Sequence, residues 1–95
     1  MPVLHRFTHL LHDDEGRRYV AVIHGRAADS GMWEGWIEFV GLDGVEDRLE
    51  TAIETTQPDR HALEYWASGL EPLYLEGAFS RAMRAKIEKI EQTAP

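Results

Sequence analysis

The sequence predicts an α+β fold, an antiparallel meander sheet of three to four strands followed by two C-terminal helices packed on one of its faces. Three observations carry this expectation. Trp33-Glu34-Gly35-Trp36-Ile37-Glu38-Phe39-Val40 alternates with the two-residue period of a strand. Thr55-Thr56-Gln57-Pro58-Asp59 carries the signals of a helix start, and Gly69-Leu70-Glu71-Pro72 those of a helix stop. The loops between the strand segments are short, as antiparallel neighbours allow and parallel ones do not.

Residues 3–11 read as the first strand, with Val3, His5, Phe7, His9 and Leu11 on one face. A helical reading would instead align Leu4, Phe7 and Leu11; the shortness of the segment and its Val, Phe and Thr favour a strand. Asp13-Asp14-Glu15-Gly16 is a turn. Residues 17–27 form a second strand, whose continuous run Tyr19-Val20-Ala21-Val22-Ile23 indicates cover on both faces. After the loop Ala28-Asp29-Ser30-Gly31, the third strand spans residues 32–42. Trp33, Ile37 and Phe39 lie on its core face with Gly35 between them; Glu34, Trp36, Glu38 and Val40 lie on the other. An Asp43-Gly44 turn leads into a fourth strand over residues 46–55, with Leu49, Thr51 and Ile53 inward and Arg48, Glu50, Ala52 and Glu54 outward.

The first helix is expected over residues 57–68. Thr56 would be its N-cap and Asp59 would favour the positive end of its dipole, while Pro58 is tolerated in the first turn. Ala62, Leu63, Trp66 and Ala67 supply its apolar stripe, Gly69 suits the position just past its end, and Pro72 blocks continuation. The second helix spans residues 73–91. Leu75, Phe79, Ala82, Met83, Ile87 and Ile90 mark its buried side, and Arg81, Arg84, Lys86 and Lys89 gather toward its C-terminal half. Residues 92–95 should fray. The chain reads as a single domain over residues 1–95.

Composition narrows the function. Ten Lys and Arg against seventeen Asp and Glu give a formal charge of −7. That argues against nucleic acid, whose phosphates need neutralising, and against an anionic membrane surface. With no cysteine there is no disulfide, thiolate nucleophile or Cys-ligated zinc. No apolar run approaches the roughly 18 residues of a membrane span, and the N-terminal residues lack a signal-peptide pattern, so a cytoplasmic location is expected.

No catalytic constellation stands out. On a strand His5 and His9 share a face about 13 Å apart, too far for one metal, and His12 points the other way. His24 and His61 are isolated. Glu34 and Glu38 lie too far apart along one strand to share a proton. Ser30, Ser68 and Ser80 have no nucleophile-elbow context, and no glycine-rich phosphate loop is present. No catalytic residue, metal or cofactor is therefore expected. Two features suggest binding. Trp36, rimmed by Glu34 and Glu38 on a sheet face without helices, suits an exposed interaction surface. Gln57 and Arg60 at one helix start, with Tyr74 and Glu76 at the next, would form a polar rim if the two ends lie on one side.

The stretches Trp33-Glu34-Gly35-Trp36-Ile37-Glu38-Phe39, Glu54-Thr55-Thr56-Gln57-Pro58-Asp59-Arg60 and Tyr65-Trp66-Ala67-Ser68-Gly69-Leu70-Glu71-Pro72-Leu73-Tyr74-Leu75-Glu76-Gly77-Ala78 resemble a family of small bacterial proteins of unknown function. The resemblance covers roughly the middle half of the chain. It implies a bacterial cytoplasmic protein and carries over no activity and no catalytic residue. The function expected from all this is a non-catalytic interaction or assembly module, its partner a second copy of the chain or another protein. The alternative is a small-molecule-binding protein or enzyme using the helix N-termini and the open sheet face.

Overall fold

In the computed structural model, which describes residues 3–44 and 48–93, the elements are β1 (Val3–Arg6), β2 (Leu11–His12), β3 (Arg18–Ala27), β4 (Trp33–Gly41), β5 (Arg48–Glu50), β6 (Thr55–Gln57), α1 (Arg60–Ser68) and α2 (Pro72–Thr93). Together they form an α+β fold with an antiparallel sheet, and the C-terminal helix packs against that sheet. The expected beginning of the fourth strand, at residues 46–47, and the last two residues of the C-terminal tail lie outside the described residues.

The β3–β4 hairpin is the spine of the molecule. Its register runs unbroken from Tyr19↔Gly41 to Ala27↔Trp33. Paired residues of an antiparallel ladder share a face. One face therefore carries Tyr19, Ala21, Ile23, Ile37 and Phe39, which form the core with Leu11, Leu49, Ala67, Leu75, Ala78, Phe79 and Ala82. The Asp43-Gly44 turn after β4 has positive φ at both residues, 55° and 79°, as an Asp-Gly hairpin turn requires.

The outer strands depart from the sequence expectation. Residues 3–11 and 46–55 each read as one continuous strand; each is interrupted instead. β1 and β2 pair with β3 at Arg6↔Val22 and Leu11↔Tyr19, so the connecting residues bow away from the ladder. On the other edge β5 and β6 pair with β4 at Glu38↔Glu50 and Gly35↔Thr55. The Thr51 hydroxyl accepts from the Ile37 N–H at 3.1 Å, and the Thr51 and Glu54 amides reach the Ile37 and Gly35 carbonyls at 2.9 and 2.8 Å. These bonds bracket Ala52 and Ile53, which leave the ladder, so Ile53 is exposed rather than inward. Broken edges of this kind disfavour strand addition by another chain.

The first helix starts later than expected. Thr55, Thr56 and Gln57 pair with Gly35, Glu34 and Trp33, so Thr56 belongs to the sheet and is not the N-cap. Pro58 keeps the preceding residue extended. Asp59 is the cap, its Oδ1 accepting from the Ala62 N–H at 2.8 Å. Gly69 ends α1 in the right-handed region at φ −91°, so its capacity for positive φ is not used. Pro72 occupies the first position of α2, where its missing N–H costs nothing.

α1 meets the sheet through Ala67 and, most closely, through Leu63. Gly25 and Gly35 are register partners, and a Cβ on either would come within 2.6 Å of a Leu63 methyl group. The paired glycines thus make the hollow into which the buried Leu63 drops. Among the described residues, no helix is long and apolar enough to cross a membrane.

Candidate functional site

Three regions hold the residues that bear on function. The first is the sheet face opposite the helices. The hairpin register places Val22 and Glu38, His24 and Trp36, and Arg26 and Glu34 side by side there. His24 Nε2 lies 2.8 Å from Glu38 Oε1, and Arg48 Nε lies 3.5 Å from Glu38 Oε2. The His24 ring stacks on Trp36 with centroids 5.5 Å apart and planes 19° from parallel. The Arg26 guanidinium sits 5.3 Å from the Trp36 ring centroid, and Arg26 Nε donates to Glu34 at 3.1 Å.

Trp36 is therefore on the expected face but not exposed; its accessibility is 6%. Glu38, expected on a wet face, is 8% accessible. Cross-strand stacking and ion pairing have closed this face over its own tryptophan. The His24–Glu38 pair has the chemistry of a general-base dyad but not its access. In such a dyad the carboxylate holds one ring nitrogen and the other meets the substrate. Here the second nitrogen, Nδ1, is buried and has no hydrogen-bond partner. Read as a sequence, His24 is an isolated histidine. Counting outward from the loop at residues 28–32 would place it opposite Trp36.

The second region ties α2 to the bowed segment between β5 and β6. The Glu54 carboxylate, 5% accessible, accepts from Arg81 Nη1 and Nη2 at 2.6 and 2.8 Å and from the Tyr74 hydroxyl at 2.6 Å. The bidentate Arg81 hydrogen bonds hold the Glu54 carboxyl below its usual range against the opposing effect of burial, and the Tyr74 hydrogen bond adds to them. Burial raises the Tyr74 phenol, with Glu54 contributing in the same direction. The fork of planar donors on a shielded carboxylate is strong and directional, and it anchors the N-terminal half of α2.

The four residues expected to form a polar rim at the helix starts are held by separate partners. Tyr74 is bound to Glu54. Gln57 Nε2 donates to Thr55 Oγ1 at 2.7 Å. Arg60 pairs with Glu64 one turn on, at 2.8 Å, and lies 5.9 Å from the Trp33 ring centroid. Glu76 meets His9 at 3.1 Å. Each residue has its own partner, and no hydrogen bond joins the pair at the α1 start to the pair at the α2 start. Among the described residues, no three His, Asp or Glu side chains gather as metal ligands.

The third region is the C-terminal half of α2. Ile87 and Ile90 continue the stripe of Leu75, Phe79, Ala82 and Met83, and the sequence places them on the buried side. They are instead 48% and 57% accessible. Among the described residues Ala82 is the last buried one of α2, and beyond it Met83 and Lys86 are half-buried. From Met83 to Thr93 the helix continues for about 15 Å at 1.5 Å per residue.

A groove of about 930 Å³ lies between this half of α2 and the turn joining β2 to β3, with Leu49, Phe79, Met83, Ile87 and Ile90 among its apolar lining. Carboxylates at residues 13–15, 88 and 91 share its lining with Arg17, Arg84 and Lys86. A second depression of about 520 Å³ lies across the helix against β5 and shares Leu49 and Ile90 with the first. Periodicity alone identifies the stripe but not the surface facing it, which is why this site is invisible in the sequence. No family model, curated protein or solved structure matches the chain.

Proposed function

We propose that the protein is a non-catalytic interaction module that receives an amphipathic helix alongside the C-terminal half of α2. One observation carries this reading: the apolar stripe of α2 continues at helical spacing past its last well-buried turn, leaving Ile87 and Ile90 exposed along a groove that they help to line. A stripe at that spacing is matched by a second helix laid along it, each supplying the ridge the other lacks. The mixed charges bordering the groove suit the polar flanks of such a helix better than a uniformly charged ligand. The sheet face opposite the helices is a weaker candidate, since its aromatic and carboxylate groups already satisfy one another.

Nuclear magnetic resonance titration tests the reading. The probe is a synthetic amphipathic helix with two isoleucines three residues apart and both charge signs on its flanks. Saturable shifts at Leu49, Met83, Ile87 and Ile90, abolished in the Ile87→Ser/Ile90→Ser protein, are expected. Shifts elsewhere, or binding indifferent to the double substitution, would overturn it.

A further inference from the structure

The charges around Ile87 and Ile90 are complementary to themselves when the helix is reversed. Arg84 lies one turn before Ile87 and Glu91 directly follows Ile90. All four of these residues are exposed. Written as a heptad with Met83 and Ile90 at d and Ile87 at a, Arg84 and Glu91 both fall at e, beside the apolar seam. In an antiparallel pair of helices the e positions of the two chains face each other. Set Ile87 of one copy level with Ile90 of the other, and Arg84 faces Glu91 at both ends of the contact. In a parallel pair e positions face g positions instead, which sets Arg84 beside Phe79 and leaves Glu91 paired with Lys86 alone. It would also align the two helix dipoles side by side in the same sense, whereas the antiparallel pair opposes them favourably.

Resting on the reading above, we propose that the helix received by α2 is α2 of a second copy. The two lie antiparallel about a two-fold axis between residues 88 and 89, with Ile87–Ile90 contacts at the centre and an Arg84–Glu91 pair on either side. The arrangement is isologous and closes as a dimer. The partner helix then ends level with Arg84. The contact is short, about 15 Å of each helix, so it falls in the class below about 1,200 Å² that gives weak, reversible association. The charge of −7 on each copy works against encounter, and the unlike pairs select the antiparallel register.

Sedimentation equilibrium over micromolar to millimolar concentration, on the full chain, tests this. The wild-type protein is expected to show a reversible monomer–dimer equilibrium. Arg84→Glu alone and Glu91→Arg alone each place like charges at both ends and should weaken it about tenfold. The combined Arg84→Glu/Glu91→Arg protein restores unlike pairs and should regain wild-type association. Both positions are exposed, so circular dichroism should report a native fold for all three variants. Failure of the charge swap to restore association overturns the antiparallel pairing. A wild-type protein that stays monomeric throughout overturns the second copy as occupant. In that case, saturable binding of the synthetic helix would leave the interaction-module reading standing, and its absence would remove both.

Discussion

The two halves of α2 share a pattern and differ in fate. Leu75, Ala78, Phe79 and Ala82 are buried against Tyr19, Phe39 and Leu49, with the Phe79 ring 5.1 Å from Tyr19 and 5.2 Å from Phe39. Ile87 and Ile90 keep the same spacing and remain in solvent. A hydrophobic stripe is thus a statement about one surface. Whether it is core or interface depends on whether another element reaches it. The anchored half also has the Glu54–Arg81–Tyr74 cluster, so packing and a shielded ion pair reinforce each other over the same turns.

The largest expected effect tests the anchored half. Phe79→Ala should cost about 3–5 kcal/mol of unfolding free energy, because the space it leaves is walled by two aromatic rings. Ile87→Ala at the far end should change monomer stability by less than about 0.5 kcal/mol. Urea denaturation of dilute protein measures both, and equal losses would erase the distinction between the halves.

Gly35→Ala sharpens the comparison by moving to the other helix. Its new methyl group would collide with Leu63, which is buried and has little room to move. A loss of about 1–3 kcal/mol is expected, together with increased amide exchange in α1 and little change in α2. Exchange that rises first in α2 would show that the helices do not dock independently.

The ion-pair cluster gives a pH test with a definite sign. Glu54 has its carboxyl lowered from an ordinary value near 4.5. The stabilisation it provides is therefore fully present above about pH 4.5 and is lost as pH falls through the lowered value. Arg81→Gln should reduce stability by about 1–3 kcal/mol at neutral pH, since the shielded carboxylate loses its charged donor. Its deficit against the wild type should shrink below pH 4.5. A deficit that stays constant down to pH 3 would mean that Arg81 acts through packing.

Much of the architecture was legible because it depends on local periodicity. The alternation of residues 33–40 identified β4 and its two faces, and the Asp43-Gly44 pair identified a turn by its tolerance of positive φ. The helix start was only partly legible. Thr56 and Asp59 are both competent caps, and the choice fell to Asp59 because the amides around Thr56 are engaged by β4. The candidate sites were less legible still. Trp36 and Glu38 lie on the expected face but are covered by His24, Arg26 and Arg48, which reach them across strands.

By itself, then, the sequence determined the α+β class, the central hairpin, the core face of β4 and the continuous stripe along α2. These follow from the spacing of side chains along one chain, which the backbone geometry of a strand or helix converts directly into faces. Only the tertiary structure decided where the outer strands break, which residue caps α1, that Glu54 is held by Arg81 and Tyr74, and that Ile87 and Ile90 are surface. Each of these turns on a contact between segments distant in sequence, and the energy of such a contact belongs to the pair rather than to either segment.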